Sequence, residues 1–343
     1  MIITQTPLRI SFLGGGTDYP EYFEKHGGAV LGSAVDKSAY FSMSHFYSGM
    51  FDHTIRWCYR QVECVKTVDE LEHAPFRECL RWAGVSRDVE VHHSAELPSM
   101  TGLGSSSSFV VGLLNTVYAF QRRSVPAIEL AYQAIDLERR VLKESVGVQD
   151  QTFAAVGGFN LIEFKRMGHF VVNRLPIGPQ RLAEFEGHLL CFFTGIKRRA
   201  EELANRQVKR VGLNLERLAK MRAMVDDGYS VLAGSGSLTK FGELLHQSWQ
   251  EKRALDAAIS NDAINESYDA GIAAGAIGGK LLGAGGGGFI LFFAPPEKHE
   301  AIRAALPDLV EVPFELDAPG SHVLHAGSRR GSMAPPLRLR EAA

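Results

Sequence analysis

The sequence predicts an α+β protein with two lobes and a ligand cleft between them. Its predicted strands and helices do not follow the regular strand–helix alternation of a doubly wound sheet. Proline and glycine cluster at residues 176–179, which is typical of a domain boundary, so we expect domains at residues 1–176 and 177–343. Three glycine-rich stretches, which we expect to meet in the cleft, lie at residues 14–16, 102–104 and 283–288.

The first domain is predicted to be rich in β-structure. Segments of β-branched and aromatic residues bounded by turn residues predict strands. These strands lie at residues 7–13, 29–35, 39–46, 54–59 and 89–93, with a hairpin at 157–164 and 169–175. Helical periodicity predicts helices at residues 69–74, 76–83, 105–121 and 126–141. Residues 147–151 form a polar break before the hairpin.

The second domain is predicted to contain more helix. Its strands are expected at residues 188–193, 280–282 and 289–293, with the third glycine stretch between the last two. One long charged helix is expected from residue 199 to about 226, and shorter helices at 238–251, 262–273 and 297–305. From about Arg329 the chain is basic and contains proline, and we expect it to be frayed.

Composition excludes several classes of protein. Apolar residues make up 45% of the 343 and charged residues 22%, with a net charge of −2, so nothing favours binding to nucleic acid. No apolar run reaches membrane-spanning length, and the first residues lack a secretory signal. The four cysteines lack the spacing of a zinc or disulfide framework. We therefore expect a cytoplasmic protein that binds small molecules, with a homo-oligomer left open.

The stretch at residues 96–115, ELPSMTGLGSSSSFVVGLLN, predicts a phosphate site. A glycine-containing turn leads into an apolar helix, and the first-turn amides of a helix have no intrahelical acceptor. Those amides and the helix dipole both favour an anion, while Gly102 and Gly104 let the backbone approach a bulky ligand. The four serines offer hydroxyls that could cap the helix. A simple capped helix is the alternative interpretation of this pattern.

Other nucleotide-binding motifs do not fit the chain. The stretch at residues 283–288 matches GxGxxG, but it opens the predicted strand FILFF, whereas a dinucleotide fingerprint must open a helix. The sequence contains no GxxxxGK[ST] phosphate loop and none of the signatures of protein kinases. None of these three nucleotide-binding signatures therefore describes this chain.

Three motifs in order resemble those of the galactokinase, homoserine kinase, mevalonate kinase and phosphomevalonate kinase (GHMP) superfamily. They are PLRISFLGGGTDY, LPSMTGLGSSSS and KLLGAGGGGF, and the resemblance covers nearly the whole chain. It implies a ribosomal-protein-S5-like N-terminal domain, a ferredoxin-like C-terminal domain, and ATP with Mg²⁺ between them. The residues that would bind ATP are Ser99, Thr101, Gly102, Leu103, Gly104, Ser105, Ser106, Ser107 and Ser108.

The same resemblance implies four residues that take part in phosphoryl transfer. Asp150, in GVQDQ, lies where sugar kinases of the superfamily have their catalytic aspartate, which would accept the proton of the attacking hydroxyl. Arg9 matches the arginine beside that base, although a charge inside a strand is also explained by an ion pair. Glu138 and Ser106 match the carboxylate and hydroxyl that hold Mg²⁺, and we expect Glu138 near the cleft surface.

The substrate is implied with less detail. Thr17 and Asp18 match a pair that binds sugar hydroxyls, but Gly14, Gly15 and Gly16 precede them where galactokinases have Gly-Glu-His. This form more closely resembles the heptose-phosphate kinase and fucokinase branch, and favours D-glycero-D-manno-heptose 7-phosphate, phosphorylated at its anomeric hydroxyl. L-Fucose or another sugar is the alternative substrate, and a non-catalytic sensor the alternative class. Further residues expected at the substrate are Gly285, Gly286, Lys197, Arg198 and Arg199.

Overall fold

The protein consists of two mainly antiparallel sheets with helices packed against them. Its computed structural model describes residues 1–196 and 200–327. The helices of the described residues are α1 Pro20–His26, α2 Ala74–Trp82, α3 Ser105–Phe120, α4 Ala127–Asp136, α5 Gln149–Val156, α6 Pro179–Glu186, α7 Ala200–Arg210, α8 Leu215–Ala233, α9 Thr239–Arg253, α10 Asp262–Ala273 and α11 His299–Ala305. The strands are β1 Ile2–Leu13, β2 Gly28–His45, β3 Ile55–Cys58, β4 Val62–Val65, β5 Val89–Ala95, β6 Phe159–Phe164, β7 Phe170–Arg174, β8 Leu189–Phe193, β9 Gly278–Leu281, β10 Phe289–Phe293, β11 Val310–Glu311 and β12 His322–Ala326. This content confirms the predicted α+β class.

The first sheet is built around β1 and β2. Its strand order is β12-β1-β2-β5-β3-β4, and β6 pairs with β2 and carries β7 at its other edge. The first part of β2 pairs with β6 and the last part with β5, so this strand is long because it has two successive partners. The sequence predicted two strands here, at residues 29–35 and 39–46, and that prediction is wrong.

The second sheet has the order β11-β8-β10-β9 and is antiparallel throughout. The hydrophobic core of this sheet and its helices is continuous with one face of the first sheet. Phe12 of β1 packs edge-on against Phe185 of α6 and Phe241 of α9. β12 returns to the first sheet and pairs with β1, although it follows the second sheet in the chain. The division at residues 176 and 177 stays a prediction.

Three local predictions are wrong for identifiable reasons. The expected long helix at residues 199–226 is α7 and α8, separated by a turn at Val211–Leu213 that contains a glycine. The helix expected at residues 69–74 is a single turn at Val68–Glu70. The expected polar break at 147–151 leads directly into α5, whose polar residues are buried around the site and hide its helical periodicity. The expected fraying after Arg329 lies outside the described residues.

None of the helices in the described part of the chain combines the length and the hydropathy that a bilayer-crossing helix needs.

Candidate active site

The centre of the site is an ion pair between Arg9 of β1 and Asp150 in the first turn of α5. Arg9 Nε lies 2.7 Å from Asp150 Oδ1, and Nη2 lies 2.7 Å from Oδ2, so the contact is bidentate. The remaining guanidinium nitrogen, Nη1, donates to the carbonyl of Gly102 at 2.7 Å. The charge inside the predicted strand is therefore buried and paired. One side chain fixes the aspartate and also connects it to residues 96–108, which form the loop before α3 with its four serines and are called the serine loop below.

Helix α3 begins within the serine loop, next to this ion pair, without a side-chain cap. The N-cap of α3 is Gly104, in the left-handed region with φ 75°, and no side chain caps the helix. The prediction that a serine hydroxyl could cap α3 is therefore wrong. A Cβ on Gly104 would lie 3.2 Å from Arg9 Cγ and 3.3 Å from Asp150 Oδ2. Free first-turn amides next to a carboxylate–guanidinium pair form a site suited to a phosphate.

The four serines of α3 divide into two pairs with different surroundings. Ser105 is half-buried and Ser106 is exposed at the start of the helix. Ser107 and Ser108 are buried: Ser107 Oγ donates to Glu138 at 3.0 Å, and Ser108 Oγ donates to the Pro7 carbonyl at 2.6 Å. The hydroxyl that contacts Glu138 is therefore that of Ser107, while Ser106 as a metal ligand stays a prediction.

The remaining expected ATP contacts lie around the loop before α3. Ser99 is exposed, whereas Thr101 is buried and its hydroxyl donates to the Pro98 carbonyl at 3.0 Å. Leu103 is buried in the core shared by the two sheets, and its carbonyl accepts from the Arg9 amide at 3.1 Å. The structure thus shows how Thr101 and Leu103 hold the loop in place, and contact with a nucleotide stays a prediction for both.

Glu138 lies on an irregular turn at the end of α4. Leu142 N donates to Leu137 O across five residues, which makes this a π-helical turn, a feature often found at functional sites. The side chain of Glu138 is fully buried, so the expectation that it lies near the cleft surface is wrong. Burial, with nearby carboxylates acting in the same direction, raises the pKa of Glu138 to about 8.

The surroundings of Glu138 fit a small hard cation. Its Oε2 accepts from Ser107 and from Gln151 Nε2, whereas Oε1 has no hydrogen-bond partner among the described residues. A buried carboxylate oxygen without a partner is costly unless a charge compensates it, and Mg²⁺ takes one or two carboxylates together with phosphate oxygens. The donor set therefore suits a magnesium ion that also contacts a nucleotide at the serine loop.

The loop before α1 brings a second buried carboxylate to the site. Asp18 Oδ1 accepts from Gly16 N at 2.9 Å, and the Asp18 carbonyl accepts from Val148 N at 3.1 Å. A Cβ on Gly147 would lie 1.9 Å from Asp18 Oδ2, so only glycine fits at this close approach. Burial, and then the Asp150 charge, raise the pKa of Asp18. The carboxylates of Asp18 and Asp150 are therefore close enough to influence each other.

Thr17 and the glycines differ in what they offer a substrate. Thr17 is buried, and its hydroxyl lies 2.8 Å from the Gly14 carbonyl and 2.9 Å from the Ala29 carbonyl, so it holds the loop against β2. Gly15 is buried, whereas Gly16 is half-exposed. Gly16 lines a pocket whose other residues are Tyr19, Gln207, Val211, Asn214, Leu218 and Leu255. Gly16 and Tyr19 place this small pocket next to the loop that carries Asp18.

The third glycine loop closes the site from the second sheet. Gly286 N donates to the Ile259 carbonyl at 2.8 Å, and a Cβ on Gly285 would lie 2.8 Å from the same oxygen. The structure thus gives both glycines a packing role, and contact with substrate stays a prediction. Lys197, Arg198 and Arg199 lie outside the described residues.

Two arginines of α7 flank the pocket-lining Gln207. Arg206 Nη2 lies 2.8 Å from Asp256 Oδ1, and Arg210 Nη1 lies 2.9 Å from Asp256 Oδ2. Burial opposes ionisation of Asp256, but hydrogen bonds from the Ala258 amide and both arginines hold its pKa at about 2. The Asp256 side chain is inaccessible, whereas those of the arginines are about half exposed. One carboxylate therefore orients two cations that remain open to solvent.

Sequence reasoning missed two buried lysines. Lys280 of β9 donates to the carbonyls of Ser11 and Phe12 at 2.7 and 2.8 Å, which joins the second sheet to β1. Lys252, near the end of α9, donates to the carbonyl of Gly283. The signal was the helical stripe of buried residues in α9, on which Lys252 takes a position expected to be apolar.

Transfer of a phosphoryl group from a nucleotide to a hydroxyl needs an anion-binding backbone, a base and a cation site. The uncapped start of α3, the carboxylate of Asp150 and the buried carboxylate of Glu138 are the candidates for these three tasks. The fold and the site together define an ATP-dependent kinase of small molecules.

Comparison with known proteins agrees with the assignment to this class of kinase. The family of the GHMP kinases N terminal domain matches residues 64–158, and that of the GHMP kinases C terminal matches residues 229–311. The chain is 31% identical over 317 residues to D-glycero-alpha-D-manno-heptose 7-phosphate kinase of Campylobacter jejuni, covering 88% of this chain and 92% of that protein. The chain belongs to the GHMP kinase family, and it is an ATP-dependent phosphotransferase that acts on a sugar hydroxyl.

Two further relatives agree with this assignment. The L-fucokinase/L-fucose-1-P guanylyltransferase of Bacteroides fragilis is 26% identical over 343 residues, which cover 89% of this chain and 36% of that protein. The crystal structure of a D-glycero-D-manno-heptose 1-phosphate kinase from Bacteroides thetaiotaomicron has a TM-score of 0.79 at 24% identity, covering 96% of this chain and all of the other. The similarity to this crystal structure shows that the two proteins share the two-domain fold.

Proposed function

We propose that this kinase phosphorylates the anomeric hydroxyl of D-glycero-D-manno-heptose 7-phosphate, giving the 1,7-bisphosphate for nucleotide-activated heptose and surface polysaccharide. The observation that carries the chemistry is the bidentate Arg9–Asp150 pair at the uncapped start of α3. The choice of sugar is supported by the 31% identity to the C. jejuni heptose 7-phosphate kinase across most of both chains.

In the proposed reaction, the anomeric oxygen attacks the γ-phosphorus of ATP. A bond forms between that oxygen and phosphorus, the bond from phosphorus to the β–γ bridging oxygen breaks, and the hydroxyl proton passes to Asp150. Each carboxylate oxygen of Asp150 can still accept a hydrogen bond while Arg9 holds it. Arg9 therefore orients the base without blocking it.

The cation site has a separate task. Glu138, with Ser107 or Ser106, would hold Mg²⁺ beside the phosphates of ATP at the start of α3. When bound, the ion would supply positive charge to the triphosphate, and the uncapped amides of α3 would donate to phosphate oxygens. The chain's own contribution is to bury Glu138 and to leave its Oε1 oxygen free for the ion.

The sugar would lie between Asp18 and the pocket beside Gly16. Asp18 can accept hydrogen bonds from sugar hydroxyls. Of the three preceding glycines, Gly16 is partly exposed and lines this pocket, whereas Gly14 is packed against the Ala29 carbonyl. A distal phosphate needs cations: Lys197, Arg198 and Arg199 are the predicted ones, and Arg206 and Arg210 are two more that the structure adds. Fucose, which lacks this phosphate, would leave these groups unused.

An ADP-release assay tests the proposal directly. The purified protein is supplied with ATP, Mg²⁺ and, in separate reactions, heptose 7-phosphate, free heptose, fucose, galactose and mevalonate. We expect the highest kcat/KM with heptose 7-phosphate, and a product that carries its new phosphate at the anomeric carbon by ³¹P NMR. Turnover of fucose without turnover of heptose 7-phosphate would refute the proposed substrate and leave the sugar kinase in place.

A further inference from the structure

A buried lysine of the second domain lies beside the catalytic pair without a role in the reaction described so far. Lys252 is 6% exposed, and its Nζ donates to the carbonyl of Gly283, the first glycine of the third loop. The charges close enough to influence it are those of Arg9, Asp18, Asp150 and Lys280. The ammonium of Lys252 is therefore close enough to Arg9 and Asp150 to interact with them electrostatically.

The other two cations of this group are each held by two or more hydrogen bonds within the protein. Arg9 donates through three nitrogens to Asp150 and Gly102, and Lys280 donates to two backbone carbonyls of β1. Within the described residues, Lys252 donates one hydrogen bond, and an ammonium has three donors. Lys252 is therefore the cation of this group with the fewest hydrogen bonds to the described part of the protein, and two of its three donors remain for a ligand.

The position of Gly283 places Lys252 close to the expected transfer point. A Cβ on Gly283 would lie 2.4 Å from the Cα of Gly102, so the third loop and the serine loop are in backbone contact. Gly102 in turn binds Arg9, which holds the base. The lysine that is bonded to Gly283 thus lies where the serine loop, the third loop and Asp150 meet.

We propose that Lys252 is a further catalytic residue, whose ammonium contacts the oxygens of the phosphoryl group as it passes from ATP to the sugar. This inference rests on the proposed function, because it takes the α3 loop as the triphosphate site. In the transfer, phosphorus leaves the β–γ bridging oxygen and joins the sugar oxygen, while the proton goes to Asp150. Lys252 keeps its proton throughout and stabilises the charge on the equatorial oxygens.

Burial makes this lysine sensitive to pH. Burial lowers the pKa of Lys252 to about 8, with Arg9 acting in the same direction and Asp18 and Asp150 against it. Below that pH the group is charged, and above it the charge is lost. We therefore expect kcat to fall as the pH rises through about 8, and the Lys252→Arg variant to shift this fall to higher pH because a guanidinium stays charged.

The test compares Lys252→Met with Lys240→Met, a matched control. Lys240 lies on the same helix, is exposed, and loses the same charge on substitution. With whichever sugar the wild type accepts, we expect Lys252→Met to lower kcat by about 10²-fold or more, with both KM values within about threefold. Lys240→Met should match the wild type. Unchanged thermal midpoints would show that both variants fold.

A second measurement separates this inference from the identity of the sugar. Binding of ADP with aluminium fluoride, which imitates the phosphoryl group in transfer, is measured by calorimetry for the wild type and for Lys252→Met. We expect the variant to bind this complex at least tenfold more weakly, while its affinity for ADP alone is unchanged. Equal binding of the complex, or a loss confined to the sugar KM, would overturn the catalytic role. Failure of the heptose assay alone would refute the proposed substrate and leave this result standing.

Discussion

Gly102 of the serine loop and Gly283 of the third glycine loop are in backbone contact: a Cβ on Gly283 would lie 2.4 Å from the Gly102 Cα. Both glycines have positive φ, 86° and 74°. The contact joins a loop of the first domain to a loop of the second, and both loops lie against the groups expected to carry out the reaction. Two sequence motifs separated by 180 residues therefore form one structural unit.

Replacing Gly283 by alanine should damage this unit. The new Cβ would meet backbone atoms that cannot move aside, so we expect a lower thermal midpoint and a KM for ATP raised by about tenfold or more. Gly84→Ala is the matched control, because Gly84 has φ 70° but open space around it. That variant should show only the backbone cost, roughly 1 to 2 kcal/mol, and wild-type kinetics. Equal behaviour of the two variants would contradict the importance of the contact.

Gly104→Val should act mainly on turnover. Its Cβ would press on Arg9 Cγ and Asp150 Oδ2, and its branch would occupy space at the start of α3. We expect kcat to fall by about 10²-fold, since misplacement of the base by 1 Å has an effect of this order, together with a higher KM for ATP. Steady-state kinetics on a variant with native circular dichroism would decide; normal kcat and KM would show that this turn is not close to the reactants.

Asp150→Asn should abolish base catalysis while ATP still binds. The amide can keep one contact to Arg9 but cannot accept the hydroxyl proton, so we expect kcat to fall by about 10² or more. The affinity for ATP, measured by calorimetry, should change little because α3 is untouched. Asp136→Asn is a control on an exposed carboxylate that is also paired with an arginine. Turnover near the wild-type value in Asp150→Asn would remove Asp150 from its assigned role.

Glu138→Gln should raise the magnesium requirement without unfolding the protein. The amide has the shape of the carboxylate but not its charge, so we expect the half-saturating Mg²⁺ concentration to rise by about tenfold or more. A Mg²⁺ titration of activity at saturating ATP measures this. A titration curve that overlays that of the wild type would argue against a metal role.

The same residue predicts how stability depends on pH in the absence of Mg²⁺. Burial raises the pKa of Glu138 from 4.5 to about 8, so the folded protein holds this proton over a range in which the unfolded chain has lost it. The stability that this proton provides is complete below about pH 4.5 and is lost as the pH rises through about 8. Thermal midpoints should show this loss in the wild type and not in Glu138→Gln.

Charge removal at the arginines of α7 tests the distal phosphate. If Arg206 and Arg210 contribute to its binding, Arg206→Gln should raise the KM for heptose 7-phosphate by about tenfold and leave that for ATP unchanged. The KM for free heptose should not respond. Arg303→Gln is the control, since Arg303 is also part-exposed and bound to a carboxylate. Lys197, Arg198 and Arg199, changed in the same way, would test the cations predicted from sequence.

The motifs of the sequence were sufficient to predict the family and the α+β class, and they identified Arg9, Asp150 and Glu138 as candidates for the site. Glycine positions and short motifs are local features: a left-handed turn favours glycine at Gly104, and the candidate base Asp150 was identified from its neighbours in GVQDQ. Arg9 could be identified for a related reason, because a charge in a buried strand must have a partner. Each of these inferences depends on residues that are adjacent in the chain.

Only the tertiary structure decided the surroundings of these residues. It buried Glu138 on a π-helical turn, gave it the hydroxyl of Ser107, and brought Lys252 to Asp150 from the other domain. It also returned β12 to the first sheet. These arrangements depend on contacts between segments far apart in sequence, and local periodicity carries no information about which distant partner a residue meets. Burial, and with it the pKa of Glu138 and of Lys252, is therefore a property of the assembled fold.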